Sequence, residues 1–386
     1  MESDLVQQFL QADPADLALK LHRMKGIDRG RVLQQIVSRQ KAKKKLPDWY
    51  EHNDLFFPPP VSVEQASSQA TARYKASLIE GEHLVDLTLG MGVDAFYFSK
   101  RFNKISAFES NSALAEITAY NMEQWKVPNI KIFDTPVLSL SSLQADWIYA
   151  DPSRRDAQRN KTVAFEDSSP NVLNLITELS SNMMIKSSPL IDIDQAVKQL
   201  LHVKEVHIIG YRNECKELLF ILDPNQTPAF FTVHAVLLGE EGETIGKFSF
   251  TRSEERAAHV VYGPPSTYLY EPHPALLKSG GFNLIAEKYQ LIKLAPNSHL
   301  YTSQQLRTDF PGRTFIVKGV VNATSFVWKD WLENGKANLT LRNFPAQPDD
   351  LRKKWRLKEG GQDYLFATTL ATGKRVVILA QKPDNQ

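Results

Sequence analysis

The sequence predicts an α/β protein: a doubly wound, mostly parallel sheet of seven strands, with a helical region before it and small α+β domains after it. Three observations carry this. Between residues 84 and 222, short apolar runs alternate with helical patterns, which implies a parallel sheet covered on both faces. The last two runs, 206–209 and 218–222, are joined by only 210–217, too short for a crossover, so they pair antiparallel. After Asp223-Pro224 the chain turns to closely spaced strands with glycine-rich turns.

Residues 1–46 read as helical. Asp13-Pro14 supplies an N-cap and a proline for the first helical position. Residues 29–45 carry Val32, Leu33, Ile36 and Val37 at helical spacing. Residues 47–60, ending in Pro58-Pro59-Pro60, read as a linker, because consecutive prolines oppose a helix. A helix over 63–80 follows, with Ser62 as its cap. The seven strands are then 84–87, 105–109, 130–133, 147–150, 183–186, 206–209 and 218–222. Beyond them come strands at 230–238, 247–251 and 291–294 and a short helix at 272–277. The tail reads as strands at 314–321, 337–342, 364–369 and 375–380, with helices at 328–334 and 348–358. The expected divisions are 1–62, 63–225, 226–312 and 313–386.

Composition excludes several classes. With 42% hydrophobic and 23% charged residues, the 386-residue chain is neither disordered nor fibrous. A lone cysteine, Cys215, excludes an internal disulfide framework and a multi-cysteine zinc site. His273 and His299 form no metal-ligand pattern and read as structural, and no metal is expected. The first residues show neither a basic nor an apolar signal segment, and no apolar run approaches the roughly 20 residues of a membrane span. A cytoplasmic protein without membrane partners is the simplest expectation. The net charge of +2 hides a segregation: residues 1–50 carry +4, residues 313–386 carry +6, and the middle carries −8. Basic ends suit a polyanion, and solvated lysine-rich faces are the plainer alternative.

The strongest local signal is Val85-Asp-Leu-Thr-Leu-Gly-Met-Gly92, an apolar strand ending in a carboxylate, then two glycines, then a helix. Glycine lets the backbone approach a ligand that a Cβ would block. Gly90-Met-Gly-Val-Asp-Ala95 also fits a dinucleotide loop. Asp86 discriminates, since it offers nothing to a pyrophosphate but can accept from the ammonium of S-adenosylmethionine. Glu109 ends the second strand, where a carboxylate can take both ribose hydroxyls. Asp134 ends the third, where it can accept from an adenine amine. Asp151 ends the fourth, beside the place of a transferable methyl. Polar groups on four consecutive strand ends suit a ligand lying across the carboxyl edge of the sheet, although acids are also common in ordinary loops.

At these residues the chain resembles the class I S-adenosylmethionine-dependent methyltransferases, over roughly 63–223. That resemblance implies a Rossmann-like seven-stranded sheet with an antiparallel last strand, the cofactor S-adenosyl-L-methionine, and methyl transfer by in-line attack on the sulfonium carbon. More narrowly, the chain is similar to a bacterial group with C-terminal ferredoxin-like and THUMP-like domains. The residues carrying this are Gln65-Ala-Ser-Ser-Gln-Ala-Thr-Ala-Arg-Tyr-Lys75, Asp151-Pro-Ser-Arg-Arg-Asp156, Asn213-Glu-Cys-Lys-Glu217, Tyr270-Glu-Pro272, Asn297-Ser-His-Leu-Tyr-Thr-Ser303 and Phe310-Pro-Gly-Arg313.

THUMP domains bind RNA, so the resemblance implies an RNA acceptor, rRNA or tRNA. Independently, 352–358 sets Arg352, Lys353, Lys354, Arg356 and Lys358 around Trp355, which suits phosphate contact and stacking. An amphipathic helix with Leu351, Trp355 and Leu357 inward is the alternative. Arg154 and Arg155 are further candidates for substrate phosphate. Loops of the Asp-Pro-Pro-aromatic type methylate exocyclic amines; here Ser153 and Arg154 take the last two places. Carbon-5 methylation needs a cysteine nucleophile, and Cys215 is the sole candidate, with an inert small side chain as the alternative. A third scheme, ribose 2′-O methylation, uses two lysines, an aspartate and a glutamate, matched here by Lys75, Asp151, Lys186 and Glu214 or Glu217. Ordinary surface ion pairs would give the same pattern. Gln65, Ser68, Gln69 and Arg73 fall on one face of a single helix and would roof the cofactor pocket. Two other readings stand beside the RNA methyltransferase. One is an RNA-binding protein whose methyltransferase fold has lost catalysis. The other is a nucleotide-dependent oxidoreductase, against which Asp86 speaks.

Overall fold

The computed structural model describes residues 2–22, 24, 26–136, 144–153, 165–166, 168–226 and 230–383. The chain divides into two compact units: Met1–Arg212 with Lys216–Phe231 and Leu238–Ile245, and Asn213–Cys215 with Thr232–Leu237 and Gly246–Gln386.

The first unit starts with helices α1 (Glu2–Phe9), α2 (Pro14–His22) and α3 (Arg29–Ala42), which share a core of Val6, Leu17, Leu21, Val32 and Ile36. Asp28 caps α3 by accepting from the Arg31 N–H. The stretch read as a linker contains a helix, α4 (Pro47–Glu51). Pro47 sits at its first turn, where a missing N–H costs nothing. Trp49 is fully buried, against Phe96 and Trp125 at 6.0 Å each. Pro60 likewise starts α5 (Pro60–Gln65). The single helix expected over 63–80 is two, because Ser68 caps a new one, α6 (Gln69–Leu78), through the Thr71 N–H.

The seven expected strands are all present: β1 (Gly81–Asp86), β2 (Phe102–Phe108), β3 (Ile130–Phe133), β4 (Trp147–Ala150), β5 (Asn182–Ser187), β6 (Val203–Tyr211) and β7 (Glu214–Leu222). Between them run α7 (Val93–Phe98), α8 (Ser112–Gln124), α9 (Val172–Leu175) and α10 (Ile193–Leu200). In this unit the strands lie in the order β3-β2-β1-β4-β5-β7-β6. β1 to β5 are parallel, and β7 runs antiparallel to β5 with Ile185 opposite Phe220. Parallel pairing brings the carboxyl ends of β1, β2 and β4 to one edge, Asp86 standing level with Ala107 and Tyr149.

In the second unit, β8 (Thr232–Leu238) and β9 (Thr244–Thr251) are neighbours, followed by α11 (Arg252–Ala257). A second sheet has the order β11-β12-β10-β13-β16-β15-β14. Its strands are β10 (Tyr268–Pro272), β11 (Ile292–Lys293), β12 (Tyr301–Ser303), β13 (Gly312–Asn322), β14 (Asn338–Arg342), β15 (Asp363–Thr369) and β16 (Arg375–Gln381). Helices α12 (Pro274–Ser279) and α13 (Phe282–Lys288) join β10 to β11, and α14 (Pro348–Trp355) crosses between the parallel strands β14 and β15. Alternation along β15 and β16 buries both faces: Leu365, Ala367, Val377 and Leu379 pack with Leu351, Trp355 and Leu357, while Phe366, Val376 and Ile378 pack with Phe315. The helix expected over 328–334 is only a single 3₁₀ turn, Trp328–Asp330.

Three motifs of the narrower resemblance, 270–272, 297–303 and 310–313, meet inside this unit. Glu271 is buried and paired with Arg313 and, at 2.9 Å, with Arg342. The Tyr270 hydroxyl lies 3.0 Å from the Ser303 hydroxyl and donates to the Gln305 carbonyl at 3.1 Å. Tyr270 and Tyr301 both flank Phe310 and are fully buried. These motifs hold the sheet together. No helix among the described residues is long and apolar enough to cross a membrane.

Candidate active site at the strand tips

The loop after β1 is shaped by two glycines with different duties. Gly92 has φ +79°, and a Cβ there would meet Met122 and Thr118 of α8 at 2.7 Å, so it permits close helix packing. Gly90 has φ +57°, and a Cβ there would meet only one atom, at 4.0 Å. Among the described residues, the space above Gly90 is open.

Acids surround that space. Asp86 is 1% exposed and accepts from the Thr88 N–H at 2.9 Å. Burial pushes its pKa up to about 8, and the charges of Asp94, Asp151 and Glu109 add to the effect. A cation delivered beside Asp86 would restore its ionised form. Glu109 is already oriented: one oxygen accepts from the Gly90 N–H and the other from the Asn111 N–H, both at 2.9 Å. Each oxygen keeps a lone pair for a second donor. Thr88 links the strands, its hydroxyl accepting from the Asp151 N–H at 2.7 Å. Asp134 is exposed just past β3.

The four residues of the 2′-O scheme fall into two linked pairs. Lys186, on β5, reaches Asp151 at 2.5 Å. Burial opposes its charge, but Asp151, Glu217 and Asp94 outweigh burial and hold its pKa above the ordinary lysine value. Lys75 has no exposed surface. Its ammonium lies 2.8 Å from Asp94, 3.3 Å from Glu217 and 2.5 Å from the Ser67 hydroxyl. The glutamate in this cluster is Glu217, while Glu214 is exposed at the start of β7. Asp94 is the hub: its Oδ2 accepts from the Tyr149 hydroxyl and the Ser67 hydroxyl, each at 2.7 Å. Burial would raise its pKa, but Lys75 and Lys186 hold it below the ordinary range.

Asp94, Ser67 and Tyr149 were not among the sequence candidates. Asp94 alone had a signal, as an acid in the first turn of the helix that follows the glycine loop. Gln65 and Arg73 do not share a helix face, because the chain breaks between α5 and α6. Arg73 instead pairs with Asp48, at 3.0 Å, and with Glu241. Gln69 accepts from the Asp48 N–H at 3.1 Å. Arg154, Arg155 and Asp156 lie outside the described residues. Cys215 is half-buried. In the second unit, Lys353, Lys354 and Arg356 are exposed on the outer side of α14 and its cap, while Leu351, Trp355 and Leu357 are buried. His273 caps α12 by accepting from the Ala275 N–H. His299 stacks on Phe282 at 3.7 Å, and burial pushes its pKa down to about 4.

Comparison with known proteins agrees with this architecture. Residues 268–311 match the model of a ferredoxin-like domain and residues 312–382 that of a THUMP domain-like module. No curated protein matches the chain. Among solved structures, a protein of Porphyromonas gingivalis W83 described as a "putative methyltransferase" is 32% identical, with a TM-score of 0.85 over 99% of this chain and 98% of its own. M. capricolum TrmK with S-adenosyl-homocysteine is 15% identical over 41% of this chain and 69% of its own, with a TM-score of 0.31. The Pyrococcus abyssi tRNA (uracil-54, C5)-methyltransferase, also with S-adenosyl-L-homocysteine, is 21% identical over 44% of this chain and 41% of its own, with a TM-score of 0.32. The chain thus belongs to the family of the Porphyromonas gingivalis protein, in which a class I S-adenosylmethionine-dependent methyltransferase fold is followed by ferredoxin-like and THUMP-like domains.

Proposed function

We propose that the protein is an S-adenosylmethionine-dependent methyltransferase acting on RNA. The observation that carries this is the row of acids Asp86, Glu109 and Asp151 on adjacent strand tips around the bare face of Gly90. These residues fit the cofactor's chemistry: Asp86 suits its ammonium, Glu109 its ribose hydroxyls and Asp134 its adenine amine. When bound, the cofactor supplies a methyl group on a sulfonium, already activated for transfer. The residues then have to align the acceptor, which is the larger part of catalysing such a transfer. Asp151 stands nearest that point, and Lys186 fixes its carboxylate. Lys75, enclosed by Ser67, Asp94 and Glu217, is a positioning residue that keeps Tyr149 and Glu217 in place.

RNA as acceptor is supported by the THUMP-like match and by the exposed cations Lys353, Lys354 and Arg356. The test is tritiated methyl transfer to size-fractionated RNA and to total protein in parallel, using wild type, Asp151→Ala and Lys186→Met. Label in RNA that falls at least a hundredfold in Asp151→Ala, with cofactor binding retained, is expected. Label in protein alone would refute the RNA reading.

A further inference from the structure

A cavity of about 490 Å³ opens in the first unit beside Lys186. That is ample for a single nucleotide. Its walls come from the end of α3, the break between α5 and α6, the end of β5 and the turn between β6 and β7. Lys41, Lys44, Lys45, Lys186, Arg212 and Lys216 line it. Among the described residues only two carboxylates do, Glu64 and Glu217, and both are engaged, by Lys41 and Lys75 respectively.

Three of these cations are paired, Lys41 with Glu64, Lys186 with Asp151 and Arg212 with Glu240. The Lys45 ammonium donates to backbone carbonyls of Val63 and Glu64, at 3.1 and 2.6 Å. Burial, then repulsion from Lys186, pushes its pKa down to about 8. An anion between the two lysines would relieve that repulsion. Ser187, on the same wall, is 2% exposed, and its hydroxyl has no hydrogen-bond partner among the described residues. A buried hydroxyl left without a partner is destabilising, and a bound polar ligand would satisfy it. Tyr211 supplies one aromatic ring, fixed by its 2.5 Å hydrogen bond to Glu240. Anion-binding, hydroxyl-binding and stacking groups thus line one cavity whose wall reaches Asp151 through Lys186.

We infer that this cavity receives the acceptor nucleotide, extruded from the RNA, with its phosphate between Lys44, Lys45 and Lys186 and its sugar or base edge against Ser187. The inference rests on the RNA reading above and places acceptor selection in the first unit, on α3 and the loop after β5. Extrusion into a lined pocket is how enzymes reach a single base or its sugar.

The experiment is titration of the full chain with adenosine, adenosine 5′-monophosphate, a single-stranded RNA decamer and a phosphoserine peptide at 50 and 200 mM salt. Wild type is compared with Lys44→Glu, Lys44→Arg and Ser187→Ala, with melting midpoints and cofactor affinity recorded for each. Adenosine 5′-monophosphate is expected to bind more tightly than adenosine. Lys44→Glu is expected to weaken decamer binding about tenfold at 50 mM salt and to flatten its salt dependence, with Lys44→Arg restoring most of it. Ser187→Ala is expected to melt no lower than wild type yet to weaken the monophosphate about three- to tenfold. Unchanged binding in Lys44→Glu and Ser187→Ala would overturn the site, even if wild type methylates RNA. Phosphate-dependent binding that both variants lose, in a protein that methylates no RNA, would uphold the site and overturn the RNA methyltransferase reading. Failure of wild type to bind either phosphate-bearing probe, or preference for a phosphoserine peptide over the decamer, would overturn it as well.

Discussion

Lys75→Met removes the cation shared by Asp94 and Glu217. The lysine side chain has no exposed surface, and the two acids keep 12% and 6% of theirs. Removing one partner of a buried ion pair costs about 3–5 kcal/mol. Two acids lose their partner here, while Lys186 still offsets part of the charge on Asp94, so about 4 kcal/mol is expected at pH 7. The pH dependence carries the diagnostic sign. In the native chain the folded pKa of Asp94 is depressed, because Lys75 and Lys186 outweigh burial. A depressed carboxylate contributes stability that is present above its unfolded pKa, about 3.9, and lost as pH falls through the folded value. Without Lys75, burial prevails, the folded pKa rises above the unfolded one, and stability is lost as pH rises. The deficit of the variant should therefore be small near pH 4 and widen toward pH 8. Thermal melts followed by tryptophan fluorescence read it, since Trp49 and Trp125 pack together in the same unit. At about 2–4 °C per kcal/mol for a unit of this size, the midpoint should drop by about 8–16 °C at pH 7. Lys75→Met/Asp94→Asn should recover part of the loss. A deficit below about 1 kcal/mol at pH 7, or one that ignores pH, would refute the positioning role.

Other outcomes are equally definite. Asp86→Asn should stabilise the cofactor-free protein progressively from pH 4 to 8, because a raised folded pKa costs stability as pH climbs toward about 8; calorimetry should show cofactor affinity lowered by about ten- to hundredfold. Gly92→Ala should lower the melting midpoint through its 2.7 Å contacts with Met122 and Thr118, at a cost of about 1–3 kcal/mol. Gly90→Ala should melt closer to wild type, yet lose cofactor binding, since its Cβ would enter open space. Charge reversal of Lys353, Lys354 and Arg356 should change stability by less than about 1 kcal/mol and reduce both RNA affinity and its salt slope in filter binding.

Much of the fold was legible because its signals are local. The central strands β4 and β5 are apolar runs buried along most of their length, β3 at the edge is only half-buried, and each of the seven sits where the sequence put it, within a few residues at the ends. Short strands such as β11 and β12 were harder, since two or three residues carry no period. Helix α4 was hidden by Pro47, which marks a helix start as readily as a loop. Asp86 was legible because a strand running into a glycine loop fixes where its last side chain stands, and Glu109 because it directly follows an apolar strand. Asp94, Ser67 and Tyr149 were not, because their meeting at Lys75 depends on α6 and α7 packing together across distant sequence. The choice of Glu217 over Glu214 turns on which residue of β7 faces inward, and a short mixed segment does not reveal that phase.

Trp49 has a practical corollary. Its indole fills the space between Phe96 and Trp125, and the same N-terminal stretch continues through Lys45, whose carbonyl accepts from the Gln69 N–H at 2.9 Å. A shortened protein beginning near residue 60 would expose greasy rings on two helices, so it should clump rather than remain a trimmed enzyme. Under the proposed placement of the acceptor, substitutions at the end of α3 would alter which molecule is admitted without touching the strand tips of the first sheet.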